Sequence, residues 1–481
     1  MQTTNSFNRT IGLSTATSLV IGSIIGSGIF MRPAEMAGLL GSPIIIFMVW
    51  IVAGFFTLFN VMVYAELGAM LPATGGQYVF MRHMYGDFWA YLFGWAEFIV
   101  INTAGTAGIA FIFSEYATYF ISLPRFTPEI ERSVILHLPM IGNIFPLENF
   151  GVKMLTILLL GLLTFINYRS TRLGGAMQVF FTFVKILAIA LLVGGLFFSG
   201  RGSFQNFITD SPNLKPAGFA LMAAIVAACN GALQAYDGWG NMIYVAGEIR
   251  EPGKNIPRSL ILGLFVCIAV YLLVTAAMMY ILPVDIMAGS TLVASDATEV
   301  AFGTIGGGII ALLICLSVLG TTNGSVLTAP RMTFAMAHEG KFFRFAGRIH
   351  PKFKTPSNAL WLHFAVMIIM VFSGSFYILA DMYIFILWVF NLMMIYGLFI
   401  LRRKIPGALR PYKVWGYPYI PILVLLFNAF YLIMTLYNDI NNYVTGKTHI
   451  INSVFGLALT TAGIPLYFYF KKKYKEREIQ L

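Results

Sequence analysis

The chain has 481 residues, 58% of them hydrophobic and only 11% charged, with a mean hydropathy of +0.79. That leaves too little polar surface for the roughly three soluble domains its length would suggest, so most of it is dissolved in lipid. The formal charge of +11 falls in short clusters between apolar runs, which excludes the contiguous basic face of a nucleic-acid binder.

About 20 apolar residues cross a hydrocarbon core, and on that rule spans are predicted near 11–38, 43–71, 87–121, 150–167 and 175–199. A second group falls near 217–247, 258–282, 297–337, 357–373 and 376–401, followed by 417–437 and 449–470. The expectation is one all-α membrane domain over 1–481 with about twelve transmembrane helices. Arg9 leads into a long glycine-rich span instead of a short signal core with a cleavage site, so the first span is expected to stay uncleaved. With the start inside, the cytoplasmic segments hold 23 Lys and Arg residues and the outer segments 5. Both termini are therefore expected in the cytoplasm. Cys229, Cys267 and Cys315 lie in apolar runs at no metal-ligand spacing and read as core residues.

Five spans over 11–199 and five over 217–401 start on opposite sides of the bilayer, the mark of an inverted-topology repeat, with two additional helices over 417–470. The first helix of each block is interrupted, by Gly22-Ser23-Ile24-Ile25-Gly26-Ser27-Gly28 in one and Gln234-Ala235-Tyr236-Asp237-Gly238-Trp239-Gly240 in the other. The 15 residues from Ile11 to Gly26 make about 22 Å of helix, which puts the first break well inside the membrane. Unwound backbone in hydrocarbon is costly unless something polar uses it, so two facing breaks imply a shared polar cavity. After the first break, the N–H groups of Gly26, Ser27 and Gly28 suit a carboxylate. Carbonyls near Ile24 and Gln234 end the preceding half-helices and suit an ammonium group, so a zwitterion fits between. The competing reading is close helix packing, since Gly22 and Gly26 also fit a small-xxx-small spacing. Asp237 weighs against it, because a carboxylate within a span needs a partner or a function.

These residues resemble the amino acid, polyamine and organocation transporter superfamily, in its L-type amino acid transporter branch. GSIIGSGIF at 22–30 is similar to that family's first-helix signature, and AYDGWG with EIREPGKNIPR, over 235–258, to its sixth-helix signature. Asn323-Gly324 and the stretch from Arg331 through AMAHEGKFF to HPKFKTP resemble its eighth helix and loop. The resemblance implies a 5+5 repeat of the leucine-transporter type with helices 1 and 6 unwound. It also implies transport of amino acids across the cytoplasmic (inner) membrane by alternating access, as sodium-independent exchange, with no cofactor. The substrate carboxylate would meet Gly26, Ser27 and Gly28, and its amino group carbonyls matching Ile24, Gln234 and Asp237. Gln234 stands where the branch has an aromatic gate, and Gly240 where it often has Asn. Eukaryotic members join a glycoprotein through an extracellular cysteine; the 122–148 loop has none, so no disulfide-linked heavy subunit is expected.

Lys185 lies too deep in the fifth span to snorkel easily. In sodium-independent members a lysine here looks like a substitute for a sodium ion, tying the fifth helix to the first. Glu97 is similarly deep in the third span without an assigned role, whereas Glu66 and Glu115 sit nearer span ends, where a solvated carboxylate is cheap. Glu248 and Arg331, at cytoplasmic helix ends, are candidates for an inner gate. Tyr236 is a candidate cavity residue, although aromatics in a bundle are more often packing. No HExxH, GxSxG or phosphate-binding loop is present, which argues against a membrane-embedded enzyme. Proton-coupled symport and a solute sensor without transport are the alternatives.

Overall fold

The computed structural model describes residues 9, 11–26, 28–72, 76–214, 216–244 and 246–478, with the backbone alone for 171–176, 178–179 and 474–478. The chain is almost entirely helical. Its first half holds α1 (Leu13–Ile24), α2 (Gly28–Leu40), α3 (Pro43–Met70), α4 (Gly76–Tyr85), α5 (Asp87–Ala117), α6 (Phe150–Arg169) and α7 (Thr171–Phe198). The second holds α8 (Gly218–Ala235), α9 (Gly240–Tyr244), α10 (Pro252–Ile281), α11 (Val293–His338), α12 (Ser357–Ser373) and α13 (Phe376–Lys404), and α14 (Tyr419–Val444) and α15 (Asn452–Lys473) complete it. Among the described residues ten of these are long and apolar enough to cross a bilayer, and eleven if α1 and α2, bent by 45°, form one span. Twelve is reached only if α12, an apolar helix of 17 residues, is counted too. Most predicted ends fall within a few residues of the observed ones, because the apolar run itself sets the length of a spanning helix.

The broken helices sit inside the bundle. α8 packs on α2, α10 runs between α1 and α3, and α11 lies against α5 and α7. On the side of the membrane where the chain starts, Ile11 donates to the Glu248 carbonyl (3.0 Å) and accepts from the Arg250 N–H (2.9 Å). The segment after α9 therefore lies beside the chain's beginning. On the far side, a two-stranded hairpin, β1 (Leu136–Leu138) and β2 (Gly142–Ile144), is tied to the α14–α15 loop by the Asn143 N–H on the His449 carbonyl at 2.7 Å. In the α5–α6 loop that carries the hairpin, the Arg125 guanidinium hydrogen-bonds Glu131 at 2.9 Å and holds its carboxyl below the usual range.

Glu66 departs from expectation. It is fully buried, and Arg402 of α13 grips both its oxygens at 2.9 and 2.6 Å, with Arg410 3.7 Å away and the Val414 N–H at 2.7 Å. The arginine's guanidinium also lies 3.6 Å from the centre of the Tyr417 ring. Removing one partner of a buried pair strands the other charge, so Arg402→Ala is expected to cost about 3–5 kcal/mol. Thermal unfolding in detergent would read this directly; a midpoint unchanged from the parent would mean that Arg410 and Val414 satisfy Glu66 unaided.

Candidate functional site

The two breaks abut. α1 closes with the Ile25 N–H on the Ile21 carbonyl (2.8 Å) and α2 opens at Gly28, while Ser27 lies outside the described residues. α8 ends at Ala235, and Tyr236 and Asp237 turn the chain through N–H bonds to the carbonyls of Ala232 (3.0 Å) and Gln234 (3.2 Å). At Gly238 φ is +117°, and a Cβ there would run into the Ser23 carbonyl, so only glycine lets the second break lie on the first. Gly28 also lies against the other half, though less tightly: a Cβ on it would stand 3.1 Å from the Ala235 Cα. Packing and an open N-terminus thus coexist at the same glycines.

Around the breaks lies a cavity of about 320 Å³ lined by Ile24, Gly26, Gly28, Gln234 and Asp237, with Glu97 of α5. Its walls continue to Gln77 and Tyr244, on the side where the chain starts. Five of the seven expected binding residues are thereby gathered. Tyr236 is not among them: it is fully buried, donates to the Trp50 carbonyl at 3.2 Å and stacks on Tyr271. Two residues along an α-helix turn the side chain by about 200°, so when Gln234 faces the cavity Tyr236 faces α3.

Tyr271 of α10 escaped the sequence reading. Its hydroxyl lies 2.8 Å from the carbonyls of both Ile24 and Ala235, the ends of the two broken helices. One O–H carries a single proton, so it serves the two carbonyls in turn and each keeps acceptor capacity. Ile24 can still receive an ammonium group. The Gln234 carbonyl accepts from the Asp237 N–H, as above, and the Tyr236 N–H also points at it.

Beyond Gln234, away from the chain's start, lies Arg32 of α2, which is fully buried and does not itself line the cavity. Its Nε donates to the Gln234 side chain at 3.0 Å, and its other nitrogens meet Glu35 at 2.5 Å and Asp381 of α13 at 3.5 Å. Asn230 donates to Asp381 at 2.7 Å and accepts from Tyr431 of α14. A cation within a span does signal a partner, but nothing in the sequence joins residue 32 to residue 381. Gln234 here accepts from an arginine with its side-chain oxygen.

Lys185 is buried at 2% exposure and donates to the Gly22 carbonyl at 3.1 Å, linking α7 to α1 outside the cavity. Glu248 is half-buried and Arg331 exposed; no ion pair joins them in this arrangement of the helices.

Broken helices abutting around a buried polar cavity fit a solute carrier, and the sequence comparison decides which kind. Residues 11–460 match the amino acid permease family. The chain belongs to that family. The serine/threonine exchanger SteT of Bacillus subtilis is 32% identical over 474 residues, covering 98% of each chain. The large neutral amino acids transporter small subunit 2 of Homo sapiens is 31% identical over 472 residues, 95% of this chain and 79% of that one. The b(0,+)-type amino acid transporter 1 of Mus musculus is 28% identical over 442 residues, 91% and 84%. In this permease the cavity is therefore the place to look for substrate.

Proposed function

We propose that this permease exchanges amino acids across the cytoplasmic membrane by alternating access, without sodium. The observation that carries the reading is the pair of abutting helix breaks at one cavity, which set a half-helix N-terminus against half-helix carbonyl ends. In the proposal the substrate carboxylate takes the N–H groups at Gly26, Ser27 and Gly28. Its ammonium takes the carbonyls of Ile24 and Gln234 and the negative charge of Asp237. Exchange is supported by the likeness to SteT, a serine/threonine exchanger. Lys185 fills the place of a sodium ion between the fifth and first helices. Repeats over 11–199 and 217–401, twelve spans with 417–470, and cytoplasmic termini complete the reading, which makes the side near the chain's start cytoplasmic and this conformation closed outward by Arg32. With no cysteine in 122–148, no disulfide-linked heavy subunit is required.

Competition in proteoliposomes tests the site. Amino acid amides and N-acylated amino acids, each lacking one α-charge, should compete at least about tenfold more weakly than the parent compounds, a loss of about 1.4 kcal/mol. Equal competition by either analogue would sink the zwitterion site.

A further inference from the structure

Glu97 has no part in holding the α-groups, yet it is 5% exposed and lines the cavity beside them. It begins a π-helical turn, Glu97–Ile101, where the Asn102 N–H reaches the Glu97 carbonyl. π-turns inside α-helices are rare and frequently mark functional sites. Here the consequence is geometric. Residues five apart on an α-helix stand about 140° apart around its axis, whereas the wider turn brings them closer to one face. Asn102 thereby donates its amide to one Glu97 oxygen, and the Tyr244 hydroxyl of α9 donates to the other at 3.3 Å. An amide nitrogen can only donate, so the pair of contacts suits a carboxylate and leaves about half of its four lone-pair sites unfilled.

Two carboxylates, Glu97 and Asp237, line the cavity, and among its described lining residues there is no Lys, Arg or His. A buried charge without a counter-charge is costly. The substrate's α-ammonium answers Asp237, and its α-carboxylate is answered by the α2 N-terminus. Glu97 is left over.

We propose that Glu97, oriented by Asn102 and Tyr244, reads the substrate side chain and selects amino acids carrying a second, cationic nitrogen: an amine or a guanidinium. A guanidinium presents paired N–H donors to a carboxylate, and such charge-assisted bonds are about twice as strong as neutral ones. This rests on the zwitterion site proposed above and adds a third anchor to it.

The test is counterflow of labelled L-arginine in proteoliposomes of the full-length permease, with unlabelled L-citrulline and L-norleucine as neutral counterparts of arginine and lysine. Arginine and lysine should compete at least about tenfold better than their neutral counterparts. In Glu97→Gln the arginine-to-citrulline ratio should fall towards one, whatever the absolute rates, and Glu97→Asp should restore most of it. N-acetyl-arginine separates the two proposals: if it competes as well as arginine the α-group site fails, whereas citrulline matching arginine overturns the role of Glu97 alone. Absent arginine counterflow in a preparation that exchanges labelled serine would overturn it as well. So would a Glu97→Gln variant, eluting as a single folded species, whose ratio equals the parent's. A proton carrier would show itself differently, with an inward proton gradient driving citrulline uptake in the parent but not in Glu97→Gln and the ratio unmoved, and that result too would displace the proposal.

Discussion

Gly26→Ala is expected to fold like the parent and to lose uptake about a hundredfold, the order of loss that a displacement of about 1 Å produces in a positioned ligand. The structure makes this substitution cleaner than its neighbours. A Cβ on Gly26 would have the Ile24 carbonyl at 3.6 Å and the Thr321 methyl at 3.9 Å, ordinary contact distances, and its backbone has no positive φ for alanine to strain. The protein therefore has room for the methyl group. A carboxylate lying on the N–H groups at the start of α2 does not. Gly28→Ala cannot separate these effects, because its Cβ would press on the Ala235 Cα at 3.1 Å and disturb the α2–α8 contact whether or not substrate binds there. The pair of measurements is the unfolding midpoint in detergent and the initial rate of amino acid uptake in liposomes. Saturable uptake at the parental rate would remove the first break from the site, and a large fall in the midpoint would make Gly26 a packing residue.

Lys185→Ala is expected to slow translocation while leaving equilibrium binding within about tenfold, or 1.4 kcal/mol. The ammonium does not line the cavity; its contact is the Gly22 carbonyl, three residues before the first break. A hydrogen bond from a charged donor contributes about 1.5–3 kcal/mol, and if the α1–α7 tie is needed at the slowest step its loss corresponds to roughly a ten- to hundredfold lower rate. Lys185→Arg keeps the charge but not the compact ammonium, and should recover little. Binding in detergent and uptake in liposomes, measured side by side, separate the two effects. A mutant whose affinity collapses while its remaining rate is normal would place Lys185 in the binding site; unchanged rates would leave it a packing residue.

The spans were legible because hydrocarbon imposes a local rule: a run of about 20 apolar residues must form its own backbone hydrogen bonds, and the run's ends are visible without knowing its neighbours. Pro43–Met70, Ser357–Ser373 and the start of Phe376–Lys404 fall within a residue of their expected places for that reason. The breaks were legible through the same rule inverted, since glycine and polar residues clustered in a span are costly without a use. Which side chains the breaks present was less so. Tyr236 and Gln234 are two residues apart in one motif, yet the helix rotation sends one against Trp50 and the other towards Arg32. Only packing decided the rest. Glu66 looked like a solvated span end until Arg402 and Arg410, more than 300 residues later, enclosed it. Tyr271 joins two helix ends that belong to different halves of the chain, and Arg32 meets Asp381 across the bundle. A charge or hydroxyl in lipid announces that it needs a partner, because leaving it unpaired costs several kcal/mol; where that partner stands in the chain depends on which helices the fold lays side by side, and no local pattern encodes it.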